Sequence, residues 1–250
     1  LIINEEETFY ECIPQHEHAR ISGEIIKRWA DEAVRHGPYW NELVLAVREH
    51  DRAWIPLDKN PLTDEKGFPY DFTNYPEKPK TEAYQRGVLE TAGIHRYCGL
   101  LVSRHYAAFF EKALTETGTR FRKQEKDRQQ KWRVELQEPD TEDFHLKLLQ
   151  FCDDLSLYLC TNIPGASKEK ENTWFKNGFR QHFDFLNKET IQAEFNGKQN
   201  VRVTPFPMQT ALDIAIHGRQ VLKEEAEEKG FSEAFQKSAL HTRHFRVHGG

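Results

Sequence analysis

"VREHDRAW" (residues 47–54) closes an apolar run with a histidine and an aspartate side by side. Its reading decides the fold. Leu43, Ala46, Val47 and His50 fall on one stripe of a helix covering "YWNELVLAVREHDRAW". An imidazole on a core-facing stripe must be hydrogen-bonded, paired or coordinated, because burying an unpaired polar group is costly. Asp51 lies about 100° further round a helix, so the two side chains converge only at a helix end or a turn. The plainer reading is a C-terminal histidine followed by a capping aspartate. The doublet gains chemical meaning only if distant segments bring it partners.

Three other segments offer such partners. On a helix predicted from about His16 to Arg35, His18 shares a face with Ile21, Ile25 and Trp29. His105 shares a face with Leu101, Val102, Ala108 and Phe109. On a helix over 141–160, with Thr141 as N-cap, Asp153 aligns with Leu146, Leu149, Ser156 and Cys160. Two aspartates and three histidines at inward positions are mutually expensive unless a positive charge sits among them. A divalent metal ion is the simplest such charge.

The rest of the chain sets the frame. "ETFYECIPQ" (7–15) reads as an extended lead-in ending at Pro14, and "HGP" (36–38) stops the first helix. Six prolines and glycines between Pro56 and Lys80 predict a long ordered loop of the kind that forms lids and binding walls. Helical pattern resumes near Thr81 and runs through "YCGLLVSRHYAAFFEKAL"; the highly charged 120–137 segment reads as a solvated helix or connector. After Cys160, "IQAEF", "VRVTPF" and "ALDIAIHG" alternate as strands, with Asn196-Gly197 as a turn. Ser232 is placed as the cap of a last helix over Glu233–Leu240, with "HGG" as a loose tail. The expected fold is mainly α: a helical bundle carrying a metal-binding core in residues 1–160, with a small C-terminal antiparallel β element and a terminal helix in 161–250 packed on it.

Composition narrows the function. A net charge of −5 argues against non-specific nucleic-acid binding, which needs a basic face, but leaves room for a small anionic molecule held by local cations. No apolar run approaches the roughly 18 residues of a membrane span. Cys12, Cys98, Cys152 and Cys160 form no CxxC pair; three of them sit inside apolar runs and read as buried thiols of a reducing, cytoplasmic setting. Nothing in the sequence specifies an oligomeric state.

The order His…His-Asp…Asp on separate helices resembles the HD-domain superfamily, in which these residues bind metal and the last aspartate commonly sits in a D-x-L context, here Asp153 and Leu155. "QHEHAR", "HDRAWIPLD", "GFPYDF", "LLVSRH", "CDDLSLYL" and the late "TPFP" resemble a family catalogued as a domain of unknown function, DUF3891, from about Gln15 to Ile216. The superfamily resemblance implies His18, His50, Asp51 and Asp153 as metal ligands, with His16 and Asp154 as rivals for the first and last places. It implies an HD-like bundle and one or two divalent ions per chain, iron, manganese or zinc. His105 sits where binuclear members place an extra histidine, as a ligand to a second metal or as a proton donor, with His95 as a weaker companion. Arg20, Arg52 and Arg104 lie within two residues of proposed ligands and are candidates for an anionic substrate; Trp54 and Asp58 are candidate pocket walls. Three activities follow in order: metal-dependent hydrolysis of a phosphorylated or other anionic substrate, a di-iron oxygenase, and a non-catalytic metal-binding module.

Overall fold

The structure is a computed structural model and describes residues 1–249. The expectation of a mainly α bundle is corrected. About 49% of the chain is helical, and the rest is organised around a six-stranded, curled mixed sheet resembling a half-barrel. In chain order the elements begin with strands β1 (Ile2–Glu5) and β2 (Phe9–Ile13). Helices α1 (Gln15–Ile26), α2 (Glu32–Arg35), α3 (Trp40–Glu49), α4 (Ile55–Lys59), α5 (Glu77–Ile94), α6 (Arg96–Ala108), α7 (Glu116–Glu135) and α8 (Glu142–Thr161) follow. A long connection leads to β3 (Gln192–Phe195), β4 (Asn200–Thr204) and β5 (Leu212–Leu222), then α9 (Lys223–Lys229), α10 (Phe231–Lys237) and β6 (Ala239–His248).

The sheet order is β1-β2-β5-β6-β4-β3, so strands come from both ends of the chain. All neighbours are antiparallel except β4 and β6, which run parallel with Asn200 opposite Arg246. The lead-in is thus a hairpin, with Ile2 opposite Ile13, and β2 continues into β5 through Cys12 and Arg219. Strand β6 takes the end of the expected last helix, the residues after it and His248 of the expected loose tail; Gly250 lies outside the described residues. Only Phe245 and Val247 of β6 are buried, so its apolar alternation is confined to its last residues. Its backbone pairs with β5 from Ala239 to Val247 and with β4 over Arg246–His248, which is what holds so polar a sequence in the sheet.

The first helix ends earlier than its pattern implies. Trp29, fully buried, bridges to Met208, and Ala30 N–H donates to the Pro207 carbonyl at 2.9 Å. These pairings pull the chain out of the helix. The solvated segment is α7, and Trp132 on it lies under the guanidinium groups of Arg96 and Arg128. Helices α1, α3, α6 and α8 pack against one another to form the layer that carries the site, with α1 also on β5. The other side of the β2–β5 region is covered by Phe231, Ala234 and Phe235 of α10, which pack with Tyr10, Cys12 and Val221. All four cysteines are buried and unpaired. Among the described residues, no helix is long and apolar enough to cross a membrane.

Candidate metal centre

Each helix of the layer delivers one polar side chain inward. Helix α1 carries His18 on the face with Ile21, Ser22 and Ile25, all buried. Helix α3 ends at Glu49, His50 follows as its last helical residue, and Asp51 leaves helical geometry at φ −105°, ψ 22°. This break lets two adjacent side chains aim at one place. His105 sits near the end of α6, and Asp153 in the middle of α8. All five side chains are buried.

His18 Nε2 lies 2.8 Å from Asp51 Oδ2, and His50 Nε2 lies 3.4 Å from Asp153 Oδ1. His105 Nε2 is 3.7 Å from Asp153 Oδ2. The rings of His18 and His50 stand edge to face at 5.0 Å, those of His50 and His105 at 5.2 Å. Two donor groups result, His18–His50–Asp51 and His50–His105–Asp153; in each, one donor atom per residue lies within 4.8 Å of the others. Donors about 2.1 Å from one ion, at angles of 90–110°, stand roughly 3.0–3.4 Å apart. The observed separations bracket that spacing.

The surroundings fix which nitrogens are free. His50 Nδ1 is 2.7 Å from the Val47 carbonyl, which only accepts, so Nδ1 carries the proton. Nε2 is then the donor atom, and it is buried without a hydrogen-bond partner. His18 Nδ1 lies 2.8 Å from Ser156 Oγ, whose hydroxyl donates to the Asp153 carbonyl at 2.9 Å. His18 Nε2 faces the Asp51 carboxylate at 2.8 Å, which only accepts, so Nε2–H donates to it, and Ser156 Oγ holds Nδ1 on the other side of the ring. Outer partners of this kind orient metal-bound histidines.

Burial would lower the pKa of His50, but Asp153 and Asp51 outweigh it and raise it to about 9. Burial would raise Asp51; the hydrogen bond to His18 and the charge of His50 hold it below the ordinary carboxylate range. Asp153 is likewise held down against burial by His50, His105 and His18. The cluster thus keeps two carboxylates charged in a dry interior only by placing positive charge between them. A divalent cation meets the same demand. For His105, burial dominates and pushes the pKa down to about 4; its Nδ1 has no hydrogen-bond partner.

A cavity of about 1060 Å³ opens onto His18, Asp51, His105 and Asp153. Trp54 forms part of its wall, edge-on to Tyr75 and Tyr84 at 5.3 and 5.8 Å. Asp58 does not line it; its carboxylate accepts from Gln15 N–H at 2.6 Å and from the Leu1 amino group. The three arginines singled out in the sequence also lie off the cavity lining. Arg20 is bound to Glu17 at 2.8 Å, Arg52 to Glu49 at 3.0 Å and Glu90 at 3.1 Å, and Arg104 to Glu142 at 2.8 Å and Asp143 at 2.7 Å. The cations on the lining are Lys80, Lys112 and Arg180 instead. Neither His16 nor Asp154 belongs to a donor group. Asp154 lines the cavity but binds Arg180 and Gln181, at 3.1 and 2.7 Å. His95 caps α6, accepting from Tyr97 N–H at 3.2 Å.

Sequence reading assigned no role to Ser156, Lys80 or Lys112. Ser156 was visible on the Asp153 stripe; the lysines, on α5 and just beyond α6, carry no pattern that would reveal them.

No curated protein and no solved structure matches the chain. Residues 1–223 match the family model described as "Protein of unknown function (DUF3891)". With that match covering most of its length and the His/Asp cluster inside it, the chain belongs to the DUF3891 family.

Proposed function

We propose that this protein is a metal-dependent hydrolase acting on an organic phosphoester or similar anion. The observation that carries the reading is His50 Nε2: a buried nitrogen without a close hydrogen-bond partner, set between Asp153, Asp51 and His18 beside a roomy cavity. His18, His50, Asp51 and Asp153 would hold the ion, in the residue order of HD-domain metal sites. A divalent ion bound there supplies a water acidified towards neutral pH, a hydroxide nucleophile.

The protein's own groups do the rest. Lys80 and Lys112 on the lining supply positive charge for the anion, a role the paired Arg20, Arg52 and Arg104 are not placed to fill. Trp54 and Tyr84 exclude water from one wall. His105 is held neutral at pH 7 by burial, which favours a ligand or proton acceptor over a proton donor.

One observation favours the di-iron oxygenase as a second reading: His105 joins His50 and Asp153 in a donor group of its own. Metal analysis of protein purified without chelator, paired with phosphate release and oxygen uptake assays, separates the readings. One zinc or manganese per chain with phosphate release supports hydrolysis. Two irons with oxygen uptake replace it by oxygenation, and bound metal with neither activity leaves a binding module.

A further inference from the structure

The cavity beside the donor cluster is far larger than an inorganic anion requires. At about 1060 Å³ it reaches the upper end of the roughly 300–1000 Å³ range of pockets that take drug-sized ligands. Apart from the carboxylates of Asp51 and Asp153 in the donor cluster, Asp154 held by Arg180 and Gln181, and Glu77 bonded to Gly118 N–H, its lining carries two regions of different chemistry.

One region is cationic. Lys80 is half-buried; its ammonium donates to the Phe72 carbonyl at 2.9 Å and has no carboxylate in ion-pair range among the described residues. A partly desolvated ammonium that feels Asp71, Glu77 and Asp51 only from beyond ion-pair range is stabilised by an anion entering the cavity. Lys112, exposed on the same lining, is likewise free of a carboxylate partner among the described residues.

The other region is aromatic and open. Phe109 is 55% and Trp174 53% exposed, although both line the cavity. Trp174 meets Phe72 edge-on at 6.0 Å, and Phe109 meets the His105 ring edge-on at 4.9 Å. The apolar surface thus runs from the rim down to a donor residue of the centre. Large aromatic faces left wet on a cavity wall are suited to stacking against a flat apolar group.

We infer that the ligand of this site is an amphiphilic organic anion, a phosphate or comparable acidic group joined to an aromatic body, with the acidic group at Lys80 and the donor cluster and the ring against Phe109 and Trp174. The inference names the substrate class of the proposed hydrolase and rests on that reading for the placement of the acidic group.

The test is isothermal titration of the protein as purified with 1-naphthyl phosphate, inorganic phosphate and 1-naphthol. Naphthyl phosphate is expected to bind at least about tenfold more tightly than either fragment. Trp174→Ala and Phe109→Ala, both at exposed positions, should each shrink the naphthyl-to-phosphate ratio while leaving phosphate affinity unchanged. Lys80→Gln, which keeps a donor for the Phe72 carbonyl, should weaken both phosphates and leave naphthol alone. Equal affinity for naphthyl phosphate and phosphate overturns the inference. So does a ratio untouched by both rim substitutions, a naphthol affinity matching that of its phosphate, or no binding at all. The two readings fail separately: selective binding without release of naphthol sinks hydrolysis alone, whereas turnover with no preference for the aromatic body sinks this inference alone.

Discussion

His50 Nε2 and Asp153 Oδ1 stand 3.4 Å apart in the interior, and the nitrogen has no hydrogen-bond partner. Their separation is longer than a close hydrogen bond and matches the spacing of two ligands on one ion. His50→Ala is therefore expected to reduce bound metal to background while helical content by circular dichroism is kept. Metal should raise the melting temperature of the wild type and leave that of the variant unmoved. Unchanged metal stoichiometry in His50→Ala would mean that other residues hold the ion.

The turn that aims the doublet depends on a close approach by α5. A Cβ at Gly87 would stand 2.6 Å from Ala53 Cβ and 2.9 Å from Ala53 Cα. Ala53 lies two residues after Asp51, and its backbone has no flexible end to move aside. Gly87→Ala is expected to destabilise the protein by about 1–3 kcal/mol through overpacking, and to weaken metal binding as the turn is displaced. Urea denaturation and a metal titration check the two effects together; a variant as stable as wild type would show that the turn has room to give.

The centre was far more legible in the sequence than the fold around it. Its signal is local: a charged or imidazole side chain on an otherwise apolar helical stripe is conspicuous, and His18, His105 and Asp153 each announced themselves this way. The His50-Asp51 doublet needed one further fact, the helix break at Asp51, which its backbone angles supply. Four strands were legible, β2 in the extended lead-in and β3, β4 and β5 in "IQAEF", "VRVTPF" and "ALDIAIHG", but the sheet they build was not, for a physical reason. Its order brings residues 2–13 beside residues 212–222, a pairing across the whole chain that no window of sequence contains. Strand β6 was hidden because backbone pairing, with β5 along its length and with β4 at its end, holds it in place, while most of its side chains remain polar or exposed. The arginines misled for the opposite reason. Proximity in sequence to a ligand says nothing about direction, and Arg20, Arg52 and Arg104 turn to carboxylates off the cavity lining.

That placement makes a prediction about Arg52. Its partner Glu90 is exposed, Glu49 is largely covered, and Arg52 itself is about a third exposed. Arg52→Ala should cost no more than about 1 kcal/mol, the ordinary range of a solvent-screened ion pair. It should leave the affinity for inorganic phosphate as it is, whereas Lys80→Gln lowers it. Loss of phosphate binding in Arg52→Ala, seen by titration calorimetry, would return this arginine to the substrate site.

Acid stability follows from His145 on α8. Burial pushes its pKa down to about 4, and its Nδ1 lies 2.8 Å from the Tyr97 hydroxyl, which also meets Thr141 at 3.0 Å. The folded pKa lies below the unfolded value of about 6.5, so between the two the unfolded chain binds the extra proton. The contribution is whole above pH 6.5 and lost as pH falls towards 4, by up to about 3 kcal/mol. His145→Gln keeps an acceptor for Tyr97 but cannot take up a proton. Its unfolding free energy should fall less steeply than that of wild type between pH 6.5 and 4.5. Parallel urea titrations across that window measure the difference, and identical slopes would show that His145 charges without cost in the fold.

Ser156 and Ser22 separate orientation of the centre from its packing. Ser156 Oγ is hydrogen-bonded to His18 Nδ1 at 2.8 Å and so turns Nε2 towards Asp51. Ser22 Oγ bonds Ser156 Oγ at 2.8 Å and the carbonyls of His18 and Cys152 at 3.1 Å, but touches no ring nitrogen. Both hydroxyls are fully buried, so removing either costs stability, about 1–3 kcal/mol. Only Ser156→Ala leaves the imidazole without its outer partner, and a loss of this kind typically lowers metal affinity about 10–100-fold. Ser22→Ala should unfold at lower urea yet bind metal as wild type does, while Ser156→Ala should lose both. Competition with a metallochromic dye reads the affinity independently of stability. If the two serine variants fall together in both measurements, the Ser156 bond serves packing alone, and the tilt of His18 is set by the helix that carries it.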